Sequence, residues 1–596
     1  MMHRHGLDAE SLDANIEARF IIRRLFPYVW PYRYLLTAAL AAMLLVTAGG
    51  LFVPLLEGLA IDTYIAQRDT YGLGRIILLY MGVQLAVWLG TYFQTWLVAK
   101  AGQSIIYRIR LQLFRHLQKM SFGFYDRIET GRLMSRVTND VNSLSELVSS
   151  GILNVFNDVI LLLGIMTIMI SINWQLALVT FSTLPFMFLL STKFRWRMQR
   201  AHHQVRRKIA AVNANLQESI AGVRVTQSFS REDENAQRFD STNEENMAAN
   251  LQAAQLTSAF GPLVELVAVA GVALVLWFGG VQVRAGAIEL GMVWSFLRYT
   301  NRFFMPIRDL SQIYNIWQSA SVSSQRIFEL LDRQPEVADK SNAVEMPGIK
   351  GQVRFQNVTF AYQQGPTVLE DINFTVQPGQ TLALVGPTGA GKTSIVNLLA
   401  RFYEPGAGKI LIDDTDIAAV SQRSLHSQLG IVLQDTFLFS GTVGENIAYG
   451  KPDATEEEIW QAARLVGAHQ FIMKLSQGYQ TQVQERGSRL SVGQRQLIAF
   501  ARAILVDPRI LILDEATSSV DAYTELLIQR ALVRLLEGRT AFVIAHRLST
   551  IRNADMILVI DQGKIKEQGT HEQLLETDGM YKHLYEMQFT AHQQSD

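Results

Sequence analysis

Residues 381–393 read TLALVGPTGAGKT, and this stretch decides the fold of the C-terminal half of the chain. An apolar run, 381–385, leads directly into the pattern GxxxxGK[ST] at 386–393, and a helical pattern, SIVNLLARF, follows it. Glycines in such a turn let backbone N–H groups face phosphate oxygens, and the dipole of the next helix favours negative charge there. The strand, turn and helix together predict a site for the phosphate chain of a nucleotide.

Most residues of this turn have an expected role in binding ATP or Mg²⁺. We expect Lys392 to reach the outer phosphates of ATP and the Thr393 hydroxyl to bind Mg²⁺. The predicted ATP-binding residues of the turn are Gly386, Pro387, Thr388, Gly389, Ala390, Gly391, Lys392, Thr393 and Ser394.

A second apolar run, residues 510–513, ends in the two carboxylates Asp514 and Glu515. A carboxylate at the end of such a strand can bind Mg²⁺, which is the role we expect for Asp514. Glu515 can then lie beside the γ-phosphate and polarise the attacking water. The sequence therefore predicts an ATPase, and a buried strand that ends in acids by chance is the alternative.

Both motifs lie in a region with the pattern of an α/β domain. Short β-rich runs begin after Gly351, and helical stretches separate several of them. This alternation predicts a largely parallel sheet. We place this domain at 351–585, after a linker at 326–350 and before a disordered tail at 586–596.

The N-terminal half contains long stretches without a charged residue, at 35–56, 76–99 and 159–192. A helix needs about 20 apolar residues to cross a bilayer, so the last stretch is too long for one span and divides at a plausible turn, 171–175. The sequence predicts an all-α transmembrane domain at 19–325, with buried core helices as the alternative. The six expected spans lie near 35–58, 75–99, 143–170, 174–195, 258–283 and 287–308.

Basic residues predict the orientation of these spans. They are concentrated before the first span and in the stretches between spans two and three and between spans four and five. The positive-inside rule then places both termini and the ATPase domain in the cytoplasm, and the chain in the inner (plasma) membrane. Residues 19–34 mix arginine with aromatic residues, as an interfacial helix does, and follow an N-terminal tail at 1–18 that lacks an apolar signal region. We expect turns at the cytoplasmic tips near 122–125 and 213–219.

Composition excludes several classes of protein. The 596 residues carry 54 Lys and Arg against 54 Asp and Glu, and they include no cysteine. A balanced charge argues against a nucleic-acid partner held by bulk positive charge. Without cysteine, the chain has no disulfide scaffold, thiolate metal site or cysteine nucleophile. The expected partners are membrane lipid, a cargo and a second chain.

Residues 490–494 read LSVGQ, which resembles the LSGGQ signature of ATP-binding cassette (ABC) ATPases. Six spans followed by such a domain resemble a half-transporter of the ABC multidrug-exporter type, the type IV exporter fold. The resemblance covers nearly all of residues 19–585. It implies an adenine-stacking ring, a Q-loop, an X-loop, a D-loop and a switch histidine at Tyr362, Gln434, 485–487, Asp521 and His546.

The resemblance also implies how the site residues divide their roles. The expected catalytic residues are Glu515, His546 and Gln434. The expected Mg²⁺ ligands are Thr393, Gln434 and Asp514. The remaining expected nucleotide contacts are Tyr362, Asp521 and, from a second chain, Ser491, Gly493 and Gln494.

In this family two chains form two ATP sites, and the signature loop of each chain covers the ATP of the other. The tip near 213–219 would reach the ATPase domain of the second chain, and the tip near 122–125 either domain. Val492 stands where the family usually has glycine, so we expect an unequal pair, a heterodimer, with a homodimer as the alternative. A side chain at this position also removes the backbone freedom of glycine.

The function that the resemblance implies is ATP-driven export of amphipathic small molecules, either drugs or lipids. An ATP-gated channel or regulator on the same fold is the alternative, and six spans disfavour a DNA-handling ABC ATPase. Asp158, Glu265 and Arg298 lie near the middle of spans, where facing lipid costs a charge at least about 2.5 kcal/mol. We expect interhelical pairs, or a polar patch on the cargo path in which Arg298 meets an anionic group.

Overall fold

The computed structural model describes residues 18–363, 365–434, 436–484, 487–514, 522–545 and 548–587. The chain forms two compact units. The helical unit comprises residues 1–117 and 131–333, and the α/β unit comprises 118–130 and 334–596. A short piece of the N-terminal half, 118–130, is therefore part of the α/β unit.

The helical unit consists of long helices joined by short turns. Its helices, together with α4 in the 118–130 piece, are α1 (Ala18–Val29), α2 (Arg33–Leu59), α3 (Thr70–Leu117), α4 (Phe122–Tyr125), α5 (Thr130–Ser135), α6 (Val141–Glu146), α7 (Ile152–Ile172), α8 (Trp174–Phe181), α9 (Leu184–Ala221), α10 (Val223–Ser228), α11 (Glu232–Arg284), α12 (Leu290–Phe303) and α13 (Met305–Asp332).

Five continuous helical segments among the described residues are long and apolar enough to cross a membrane: Ile21–Ile65, Thr70–Leu117, Thr130–Ile172, Trp174–Ala221 and Glu232–Arg284. Each contains one of the first five predicted spans.

The sixth predicted span, 287–308, is not one helix. α12 ends at Phe303, and Pro306 lies in the first turn of α13, where its missing N–H costs no helical hydrogen bond. Arg298 and Arg302 also make this stretch less apolar than the other five. α13 then continues to Asp332, so that it extends into the segment predicted as a linker.

The turn predicted near 213–219 is wrong. These residues lie inside α9, and the chain turns instead at Gly222 and through α10. Asn213 and Ser219 belong to residue types that favour turns, but α9 and α11 pack along one another, and this packing overrides the local preference. Ser219 donates a hydrogen bond to Asn235 of α11 at 3.3 Å, which holds the two helices together close to the tip.

The described residues of the α/β unit form three sheets. Its strands are β1 (Val353–Ala361), β2 (Thr367–Val376), β3 (Thr381–Val385), β4 (Ala407–Ile412), β5 (Thr415–Asp416), β6 (Leu429–Val432), β7 (Gly441–Thr442), β8 (Gln482–Val483), β9 (Ile510–Asp514), β10 (Thr540–Ile544), β11 (Met556–Asp561) and β12 (Lys564–Gly569). The largest sheet has the order β12-β11-β3-β10-β9-β6, and only its β11–β12 pair is antiparallel.

The helices of this unit cover the sheets. They are α14 (Lys392–Leu399), α15 (Gln422–His426), α16 (Val443–Ala448), α17 (Glu456–Leu465), α18 (His469–Ile472), α19 (Val492–Leu505), α20 (Ala522–Leu536), α21 (Leu548–Arg552), α22 (His571–Glu576) and α23 (Met580–Tyr585). The predicted fold class, an all-α membrane domain followed by an α/β domain, is confirmed.

The prediction missed the second sheet, which has the order β2-β1-β4-β5 and is antiparallel. In strand β2 the adjacent Glu370 and Asp371, and Asn373, interrupt the apolar residues, so it forms no continuous apolar run. The edge strand β12 also lacks an apolar run. None of its residues is fully buried, so its side chains can be polar.

Strand β3 is buried along its whole length between β10 and β11, so it lies in the middle of the parallel sheet. The 386–391 turn therefore begins at the carboxyl edge of this sheet, where ligands bind in open α/β folds.

Candidate nucleotide-binding site

The turn after β3 has a backbone that favours glycine. Gly389 and Gly391 have φ angles of +85° and +109°, in the left-handed region. A Cβ atom on Gly391 would lie 2.6 Å from Cδ2 of Leu369, whereas one on Gly389 would meet nothing within 4 Å. The turn therefore packs closely on β2 at one end and opens outward at the other, and α14 begins directly after it.

The side chain of Lys392 is folded back into this turn. Its Nζ donates to the carbonyl oxygens of Gly386 at 2.7 Å and Pro387 at 2.9 Å, and the residue is 8% exposed. Burial lowers the pKa of Lys392, and the nearby Asp514 carboxylate partly offsets this effect. A buried ammonium held only by carbonyl groups gains a stronger partner when a phosphate arrives.

A cavity of about 420 Å³ joins the predicted ATP-binding residues. Its lining residues are Tyr362, Val368, Thr388, Gly389, Gly391, Lys392, Thr393, Ser394, Gln434, Asp514 and Ile544. The structure thus brings together Tyr362, just after β1, with residues of β2, the 386–391 turn, α14 and the ends of β9 and β10, across more than a hundred positions of sequence.

The three expected Mg²⁺ ligands all line this cavity. The Thr393 hydroxyl, the Gln434 amide and the Asp514 carboxylate offer hard oxygen atoms, the type that Mg²⁺ prefers. The described residues contain no group of three or more acidic, histidine or cysteine side chains that could hold a metal by itself. The donor set therefore fits a Mg²⁺ ion that takes its other ligands from phosphate oxygens and water.

The ring of Tyr362 is held in position by its neighbours. Its hydroxyl pairs with Oγ of the buried Ser394 at 3.0 Å. The rings of Phe360 and Tyr403 pack edge-on against it, with centroids 4.7 and 5.0 Å away. The ring remains 37% exposed, so it is available to stack on a flat ligand such as adenine.

The 118–130 piece reaches this aromatic cluster. Phe122 stacks on Phe402 with ring centroids 4.0 Å apart, and Tyr403 donates a hydrogen bond to Asp126. Arg127 donates to Gln363, the residue next to Tyr362. Sequence reasoning left open which ATPase domain this tip contacts, and here it contacts that of its own chain. It also missed Phe402 and Tyr403, an aromatic pair that follows the helix after the turn.

The signature residues lie elsewhere in the α/β unit. Ser491 and Gln494 cap the start of α19 reciprocally: Ser491 N–H donates to Gln494 Oε1 at 3.0 Å, and Gln494 N–H donates to Ser491 Oγ at 3.2 Å. Among the described residues that line the nucleotide cavity, none belongs to 490–494. The signature therefore does not complete the ATP site of its own chain.

The backbone argument about Val492 is wrong. Val492 is the first residue of α19 and does not have a positive φ angle, so this position needs no glycine freedom. Its side chain is 45% exposed. A valine here can affect only what approaches α19 from outside.

Several predicted residues lie outside the described part of the chain. These are Glu515, Asp521, His546 and the 485–486 portion of the X-loop. Their roles stay predictions.

Of the three charged residues expected within spans, Arg298 forms an interhelical ion pair. Its Nε and Nη2 donate to both oxygens of Glu57 on α2, at 2.8 and 2.9 Å. Trp294 donates to the same carboxylate at 2.9 Å. Glu57 follows an uncharged stretch at the end of the first span, and its sequence context does not single it out. Glu265 is exposed in this chain.

Two family models match the chain. The model of the ABC transporter transmembrane region matches residues 36–307, and the ABC transporter model matches 369–518. The uncharacterized ABC transporter ATP-binding protein YknV of Bacillus subtilis (strain 168) is 44% identical over 570 residues, which cover 95% of this chain and 94% of YknV.

Two further proteins are similar over nearly the whole chain. The ATP-dependent lipid A-core flippase of Syntrophus aciditrophicus (strain SB) is 39% identical over 569 residues, 96% of this chain and 94% of the flippase. The solved structure of a bacterial Atm1-family ABC exporter with ATP bound has a TM-score of 0.76 at 30% identity, covering 94% of this chain and 98% of that chain.

The chain belongs to the ABC transporter family and is a half-transporter of the exporter type. It is a multi-pass membrane protein that binds ATP and couples its hydrolysis to export. The half-transporter fold implies that two chains assemble.

Proposed function

We propose that this protein exports amphipathic molecules with a substantial apolar part, drugs or lipids, and that two chains alternate between ATP-joined and separated states. One observation carries the two-chain mechanism. The cavity collects the phosphate-binding turn, Lys392 and the Mg²⁺ ligands, but no signature residue is among its described lining. A second chain must supply that part of the site.

Separate residues bind the phosphates, the adenine and the metal ion in the proposed mechanism. Lys392 and the N-terminus of α14 hold the phosphates, and Tyr362 stacks on the adenine. Thr393, Gln434 and Asp514 would hold Mg²⁺, which would supply positive charge beside the phosphates.

The remaining catalytic roles concern the attacking water and the second chain. Glu515 orients the water and accepts its proton, while Gln434 and His546 act beside it. Ser491, Gly493 and Gln494 meet the γ-phosphate of the ATP held by the second chain, and Asp521 has the D-loop role that the resemblance to the family implies.

Similarity to a lipid A-core flippase supports a cargo of lipid character. The exposed apolar residues on the spans include Trp88, Phe186 and Phe188. These are side chains that suit contact with acyl chains or apolar drugs. We place the chain in the inner (plasma) membrane with the ATPase domain in the cytoplasm, in agreement with its loop charges.

We further propose that the partner is a different half-transporter. The argument rests on Val492, whose exposed side chain at the start of α19 would cover the ATP site of the second chain. That site would bind ATP and hydrolyse it slowly, while the intact turn of this chain would face a normal signature.

Transport into sealed vesicles tests the export function. The assembled pair of half-transporters is purified and reconstituted, and ATPase activity and ATP-dependent uptake are measured against a panel of lipids and amphipathic drugs. We expect at least one compound to stimulate hydrolysis and to accumulate against its gradient, and the Glu515→Gln variant to bind ATP without either activity. Downhill flux that ATP opens without accumulation would show a channel instead.

Expression of the chain alone tests the heterodimer. We expect poor assembly that is rescued by a second half-transporter lacking a carboxylate after its Mg²⁺-binding Asp. A stable dimer of this chain with full, compound-stimulated ATPase activity would establish the homodimer.

A further inference from the structure

The helical unit contains a large groove far in sequence from the ATPase motifs. It has a volume of about 1010 Å³ and lies between α1, the second half of α3 and the end of α13. The lining residues are Arg23, Arg24, Pro27, Tyr28, Arg108, Leu111, Gln112, Arg115, Phe328, Leu331 and Asp332. The lining thus includes four arginines and a single carboxylate.

The charge of this groove is only partly neutralised. Asp332 pairs with Arg24, and the guanidinium of Arg108 lies over the ring of Tyr32, 5.9 Å from its centroid. Among the described residues, neither Arg23 nor Arg115 has a carboxylate within 4 Å, and both side chains are exposed. The groove therefore has a net positive charge and arginine donors that can bind another anion.

The framework of the groove is fixed by contacts between its helices. Tyr28 of α1 donates to Gln112 of α3 at 2.9 Å, and its ring lies 6.2 Å from that of Phe328 on α13. Ile21 and Leu25, on the inner face of α1, are 1% and 5% exposed. The arginines are therefore presented from a packed scaffold.

The outer face of α1 is apolar. Ile22 and Phe26 on α1, and Trp30 in the turn directly after it, recur at every fourth position and are exposed, so they form one stripe. A helix with such a stripe beside basic residues lies in the interface of a bilayer, with the stripe at the acyl boundary. Since α2 starts at Arg33, directly after this helix, the α1 side of the groove lies next to the start of the first span.

We propose that this groove binds the headgroup of an anionic phospholipid. The phosphate lies between Arg23 and Arg115, and the acyl chains follow the stripe of Ile22, Phe26 and Trp30. Guanidinium groups match the geometry of phosphate oxygens and form strong, charge-assisted hydrogen bonds with them. Basic pockets between membrane helices bind acidic headgroups in this way.

A free phosphate group, as in inorganic phosphate, has the same polar chemistry. The apolar stripe favours the lipid, because a free anion makes no apolar contact with the exposed side chains of Ile22, Phe26 and Trp30. A lipid places its phosphate and its acyl chains at the same time, so the groove and the stripe are used together.

The test uses the full-length protein, assembled in bilayer discs of phosphatidylcholine that contain a minor fraction of phosphatidylglycerol. Native mass spectrometry counts the phosphatidylglycerol molecules retained by each assembly. The groove variant combines Arg23→Gln with Arg115→Gln. We expect its apparent affinity for phosphatidylglycerol to fall about 30-fold, since each arginine near an anionic surface contributes about 1 kcal/mol.

The control removes the same number of positive charges from the helical unit, outside the groove. It combines Lys100→Gln, on α3, with Arg132→Gln, on α5; neither lines the groove. We expect less than a threefold change in this control. An equal loss in both variants would show a general surface-charge effect and overturn the site.

Two further measurements keep the proposal testable. ATPase activity in phosphatidylcholine alone should be unchanged in the groove variant, which shows that it is folded, and the Arg23→Lys and Arg115→Lys pair should retain more lipid binding than the Gln pair but less than the parent. Retention of phosphatidylglycerol by the Gln variant would overturn the proposal. Displacement of the lipid by equimolar inorganic phosphate would overturn it as well, since the groove would then be a site for the free anion.

Discussion

The helices α14 and α19 both begin at motifs predicted to touch ATP, but their first turns differ. α14 follows the left-handed Gly391, has no side-chain cap, and begins with a buried lysine beside a cavity. α19 begins with a closed reciprocal cap between Ser491 and Gln494. It carries the exposed Val492 in its first turn.

This difference has a physical meaning. The first N–H groups of a helix need partners, and an uncapped first turn leaves them for a bound anion. A capping box already satisfies two such donors and makes the turn rigid without a ligand. The start of α14 therefore suits bound phosphates, and we propose that the start of α19 contacts phosphates held by another chain.

The largest expected effect comes from Lys392, which belongs to the α14 half of the comparison. Lys392→Ala should lower ATPase activity at least about 100-fold, because the charge that stabilises the outer phosphates is lost. Radiolabelled or fluorescent ATP binding should fall with it. Lys451→Ala removes an exposed lysine paired with Glu458 at 2.6 Å and serves as the matched control, with unchanged activity. Activity within tenfold of the parent would contradict the role of Lys392.

Ser491 tests the α19 half. Ser491→Ala should lower ATPase activity about tenfold or more but leave ATP binding to the α14 turn unaltered, since the signature acts on a second chain. Loss of the cap should also lower the free energy of unfolding by about 1 kcal/mol.

Thr455→Ala separates these two effects. Thr455 forms the same type of capping box with Glu458 at the start of α17, so its loss should cost similar stability without loss of activity. If Thr455→Ala and Ser491→Ala reduce hydrolysis equally, the signature has only a structural role. Thermal unfolding and steady-state kinetics, measured on both variants, decide between these outcomes.

Tyr362 also tests the α14 side of the comparison, because its ring lines the same cavity as the start of α14. Tyr362→Ala should raise the KM for ATP about tenfold, as the loss of base stacking costs about 1–3 kcal/mol. Tyr362→Phe keeps the ring and loses only the pairing with Ser394, so its KM should rise less than threefold. An unchanged KM in Tyr362→Ala would show that adenine binds elsewhere.

Val492 gives the smallest expected effect. Val492→Gly should lower the free energy of unfolding by no more than about 0.5 kcal/mol, because glycine is a slightly poorer helix former than valine. If the valine hinders approach to the ATP of the second chain, total hydrolysis by the assembled pair should rise by up to about twofold, since the slow site becomes active. A constant rate would show that the substitution is tolerated and would remove the argument for a heterodimer.

Much of the fold could be predicted because its signals are local. Each of three signals is recognisable within a window of about 20 residues. They are the apolar runs of span length, the strand before the 386–391 turn and the strand before Asp514. The strands β2 and β12 are harder to predict, because a polar strand is stabilised by its neighbours rather than by its own composition. The end of the sixth span is harder to predict because Arg298 and Arg302 interrupt its apolar residues.

The sequence by itself determined the class of the protein, the chemistry of the phosphate-binding turn and the candidate Mg²⁺ ligands, because each depends on a short run of residues with fixed spacing. Only the tertiary structure decided which residues meet. In the structure Glu57 pairs with Arg298, and Asp126 of the 118–130 piece accepts a hydrogen bond from Tyr403. The turn predicted at 213–219 lies instead at Gly222, and four arginines line one groove. Such contacts join residues far apart in the chain, and their formation depends on how whole helices and sheets pack, which no local pattern records.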